Sequence, residues 1–96
     1  MTDELALHRA TQRAAQAEAL QRNELLAESF DGLTAAYTKA WRNSNDLDER
    51  ERCWHRVQAL DEVRQRLAMI VSGGKVAQKQ LDDIAAQAER EKDRNV

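Results

Sequence analysis

Apolar positions along the chain recur at helical intervals, and nowhere do they alternate with polar ones over the length of a strand. Between Asn23 and Arg42, Leu26, Phe30, Leu33, Tyr37 and Ala40 follow steps of four and three, a heptad seam with Trp41 at its edge. Between Leu47 and Val71 a second stripe holds Cys53, Val57, Leu60, Leu67 and Val71, widened by Trp54, Val63 and Ile70. Arg50, Arg52, Arg56, Glu62 and Arg66 fall on the opposite side, where a solvated face is expected. The polar stretch "RNSNDLDERE" separates the two segments. Asp46 with Glu49 three positions on resembles a capping box, and Asp48, Glu49 and Glu51 suit the first turn of a helix starting near Leu47.

Folding the chain about residue 45 matches the two stripes. Leu26 meets Val63, Phe30 meets Leu60, Leu33 meets Val57 and Tyr37 meets Cys53, so the pattern predicts an antiparallel helical hairpin over about 24–42 and 47–72. Its core would be Leu26, Phe30, Leu33, Tyr37, Val57, Leu60, Val63 and Leu67. Gly32 lies inside the first arm, where it permits close helix contact or marks a weak point.

Two weaker segments flank the hairpin. Residues 1–22 form an alanine-rich helix whose face carries Leu7, Ala10, Ala14, Ala17 and Leu20, too slight to bury much area alone. It either forms against a partner or runs directly on into the next helix. At the other end, Ala77, Leu81, Ile84 and Ala88 predict a short helix over 75–92, followed by a charged, fraying tail.

The joint before that helix, "MIVSGGKVAQKQ", raises the one question of nucleotide chemistry. A phosphate loop of the G-x-x-x-x-G-K-[ST] kind needs glycine where Met69 stands, Ser or Thr where Val76 stands, and a strand before it. All three are missing, so Gly73 and Gly74 read as a helix stop and hinge. Gly73 is expected in the left-handed region that favours glycine, which makes Gly73→Ala the costlier change and Gly74→Ala a mild one.

Composition narrows the classes further. The chain has 96 residues, 33% of them charged and 4% aromatic, with no proline, which fits one all-α domain spanning 1–96 with a thin core. Its 15 basic and 17 acidic residues give a net charge of −2, and the signs interleave. That is neither the footprint of a protein holding nucleic acid by charge nor that of a DNA mimic. Nucleic acid would be met only indirectly, through weak basic sites collected in a ring. No apolar run approaches the roughly 20 residues a membrane span needs, and "MTDELALHRA" lacks the form of a signal peptide. Cys53 is the only cysteine, so no internal disulfide forms. His8 and His55 have no ligand pattern around them, although Glu51 lies four residues before His55. Neither the serines nor the carboxylates form a catalytic constellation, so no enzyme, cofactor or metal is expected. Self-association is the expected way to complete the core. Trp41 and Trp54, with Arg52 and Arg56, are the interface candidates because Trp and Arg favour contact surfaces.

The stretch "LTAAYTKAWRNSNDLDERERCWHRVQALDEVRQRLAMIVSGGKVAQKQLDDI" resembles small helical proteins of tailed phages and prophages. Tyr37, Ala40 and Trp41 precede a polar turn. Glu51, Trp54, Val57, Leu60 and Val63 pattern the following helix, and Gly74-Lys75 marks the joint. The match covers roughly residues 33–84. In plan the hairpin is similar to that of small terminase subunits, which use one to build a ring, but no helix-turn-helix reading head is present. The resemblance implies a phage context, in the host cytoplasm or the virion, and within it the hairpin suggests a non-enzymatic, homo-oligomeric protein acting on another phage or host protein in DNA packaging or virion assembly. The alternative it leaves open is an anti-defence inhibitor, anti-CRISPR-like, bound to a host nuclease complex.

Overall fold

A computed structural model describes residues 3–94. The described residues form three α-helices: α1 (Glu4–Arg22), α2 (Glu24–Asn43) and α3 (Leu47–Arg94).

α1 begins where the Asp3 carboxylate accepts a hydrogen bond from the Leu5 N–H at 3.0 Å. It ends at Asn23, a single residue that also starts α2. The Asn23 backbone is extended, with φ −71° and ψ 113°, and its side-chain oxygen accepts from the Leu26 N–H at 2.9 Å. Asparagine does both tasks because its short amide satisfies a first-turn N–H that has no partner within the helix.

α2 stops at Ser44, whose N–H donates to Ala40 O at 3.1 Å. The Asp46 carboxylate then accepts from the Asp48 N–H at 3.0 Å, so α3 starts at Leu47 as the acidic first turn predicts. The capping box takes a different form from the expected one. Glu49 accepts the Ser44 hydroxyl at 3.1 Å, tying the loop rather than the cap residue to the new helix.

α3 runs 48 residues without a break. The expected stop at Gly73-Gly74 and the separate short helix over 75–92 are both absent. Neither glycine has positive φ. The residues that follow are strong helix formers without proline, so propensity carries the helix through two positions that each cost about 1 kcal/mol relative to alanine. The helix extends to Arg94. Side-chain bonds four residues apart, Gln78 to Asp82 at 2.9 Å and Gln87 to Glu91 at 3.5 Å, lie along this exposed stretch.

The chain divides into two compact units, Met1–Glu18 with Ala68–Val96, and Ala19–Leu67. In the first, α1 presents Leu7, Ala10, Thr11, Ala14 and Ala17, and α3 presents Ile70, Val71, Gly74, Ala77, Leu81 and Ile84. Ala14, Ala17, Gly74 and Ala77 are buried. Gly74 is the point of close approach. A Cβ built there would fall inside the Ala14 methyl and 3.2 Å from Ala10 O. The glycine is a contact surface, not a hinge, and the alanine face of α1 is the partner that fits it.

In the second unit, α2 lies against the first half of α3. Moving forward along α3, Arg50 lies over Trp41, Arg56 over Tyr37 and Arg64 over Phe30, with charge-to-centroid distances of 4.5, 5.3 and 5.2 Å. The order reverses along α2, which makes the two helices antiparallel. Cys53 is the only buried hydrophobic residue of this unit.

Candidate interaction surfaces

The expected hairpin core is half-buried at Leu26, Phe30, Tyr37, Val57, Leu60 and Leu67, and exposed at Leu33 and Val63. Pairing alone therefore leaves much of this unit's apolar surface in water. Each aromatic ring of α2 is instead roofed by an arginine of α3. Arg50 and Arg56, assigned from sequence to a solvated face, are stacking partners. Each such contact at an exposed site contributes about 0.5–1 kcal/mol. Arg64 also donates from Nη2 to Asp31 Oδ1 at 2.6 Å, an ion pair open to solvent.

Near the α2–α3 turn, Leu47 is 81% exposed, Trp54 51% and Trp41 37%. Leu47 and Trp54 are one heptad apart and so share a face of α3, with Arg50 between them stacked on Trp41. Trp54 meets His55 edge-on at 5.5 Å, and His55 lies 3.5 Å from Glu51. Of the sequence-derived interface candidates, Trp41 and Trp54 stand at this patch, Arg56 is engaged with Tyr37, and Arg52 is exposed. Sequence reasoning missed Leu47, though its seven-residue step to Trp54 was the available signal.

A concavity of about 310 Å³ lies where α1 ends and α2 begins. Leu20, Leu26, Ala27, Phe30 and Leu67 line it together with the Asp31–Arg64 pair. A third exposed set lies on α3, where Met69 is 66% exposed and Val76 59%, with Gly73 between them.

Among the described residues, no three His, Cys, Asp or Glu side chains stand close enough to hold a metal ion, and no helix is long and apolar enough to cross a membrane. The surfaces therefore offer apolar contact, aromatic stacking and paired charge. Comparison with protein-family models, with curated proteins and with solved structures found no match.

Proposed function

We propose that this is a non-catalytic helical protein that acts by self-association and protein–protein contact, in DNA packaging or particle assembly of a tailed phage. The observation carrying the contact reading is the disposition of apolar side chains. Among the described residues the buried hydrophobic ones are small, Ala14, Ala17, Cys53 and Ala77, while Leu5, Leu20, Leu25, Leu47, Trp54, Met69 and Val76 are among the large ones left exposed. Natural monomers seldom leave large apolar side chains grouped in water unless a partner covers them.

The phage setting rests on the resemblance around Tyr37, Trp41, Trp54 and Gly74-Lys75.

The test is affinity capture from phage-infected cells with the native chain and with a Trp41→Ala, Trp54→Ala variant. Recovery of packaging or head proteins with the native chain, and their loss with the variant, supports the assignment. Recovery of a host nuclease complex alone would overturn it in favour of an inhibitor.

A further inference from the structure

Gly73 has no counterpart to the explanation that Gly74 receives. It sits mid-helix without positive φ, and a Cβ built on it meets nothing within 4 Å. A helix-weakening residue is therefore kept where the chain itself makes no use of the space. Gly32 is equally open, but its neighbours on that face are Ser29 and Ala36. Gly73 instead stands between Met69 and Val76, both well exposed.

These residues belong to a regular seam. Arg66, Met69, Gly73, Val76, Gln80 and Asp83 follow steps of three and four along α3, and all are exposed. A second α3 laid antiparallel, with Gly73 of one copy opposite Val76 of the other, maps the seam onto itself. Val76 then enters the notch at Gly73, twice by symmetry. Met69 faces Gln80, and Arg66 faces Asp83, also twice. A parallel pair in register would set Arg66 against Arg66 and Asp83 against Asp83, so charge selects the antiparallel arrangement.

We infer that this face of α3 is a two-fold self-association surface, with a second copy of the chain as its occupant and Gly73 as the notch that receives Val76. An isologous contact of this kind closes on itself and needs one self-complementary patch. The inference rests on the self-association reading above and gives it a location and a register.

The test measures mass by sedimentation, and helix content by circular dichroism, for the native chain and three variants. Gly73→Gln places a polar, helix-favouring side chain into space that is open in the single chain. Helix content should hold or rise while association weakens at least tenfold. Arg66→Asp should weaken association, and adding Asp83→Arg should restore it. An associating native chain whose affinity is indifferent to Gly73→Gln would overturn this face while leaving self-association intact. Failure of the paired reversal to restore association would overturn the register. A monomeric native chain would overturn self-association itself, and the inference with it.

Discussion

Gly74→Ala is the substitution through which the packing of α1 on α3 is most sharply tested. The added methyl would overlap that of Ala14 and crowd Ala10 O, so the two helices must separate. Overpacking of this kind costs about 1–3 kcal/mol. Against it stands a gain of about 1 kcal/mol, since alanine is the better helix former. Gly32→Ala isolates the two terms, because it carries the same propensity gain with nothing within 4 Å to oppose it. The two variants should therefore diverge. Gly32→Ala should raise the melting temperature by about 4–8 °C, at about 1 kcal/mol in a domain of this size. Gly74→Ala should fall below it by the whole overpacking cost. Thermal unfolding followed at 222 nm, at one fixed concentration, gives both values. Adding Ala14→Gly to Gly74→Ala removes the colliding methyl, so a double-mutant cycle should return a coupling of about 1–3 kcal/mol. Equal stabilisation by Gly74→Ala and Gly32→Ala, with no coupling to Ala14, would refute the contact.

Leu60→Asp puts a charge into the half-buried stripe of α3, and should abolish both the helical signal and the assembled state; retention of helicity and mass together would contradict the seam. Asn23→Ala removes the cap that divides α1 from α2 and should cost about 0.5–2 kcal/mol in denaturant unfolding. Asp31→Asn breaks an ion pair whose side chains are 42% and 73% exposed, so its effect should be at most about 1 kcal/mol and vanish at high salt. Cys53, 3% exposed, should react with a thiol reagent only slowly until denaturant is added; rapid labelling of the native chain would contradict its burial.

Much of the helical plan could be read from the residues because its causes are local. The 4-3 spacing from Leu26 to Ala40, the acidic turn after Asp46 and the absence of proline each act within a few positions, and α2 and the start of α3 follow from them. The glycine pair could not be read this way. Whether a glycine ends a helix depends on its φ, and at Gly74 what matters is which side chain lies across from it. The slight face of α1 and the glycine looked like two separate weaknesses in sequence, yet each is the complement of the other. Arg50 was misplaced for a different reason: it stands one heptad before Val57, as Arg64 stands one after, so both share the apolar stripe and meet Trp41 and Phe30, while the exposed Arg56 reaches Tyr37 with its long side chain. The exposed patch at Leu47, Trp41 and Trp54 was half visible, because tryptophan signals contact by type whereas a leucine next to a cap reads as ordinary.

Self-association is the claim on which the functional reading turns, and the mass of the native chain in solution tests it most directly. Sedimentation equilibrium across the micromolar range should give a defined multiple of 11.0 kDa, with dissociation on dilution. A single species of 11.0 kDa throughout that range would contradict the account.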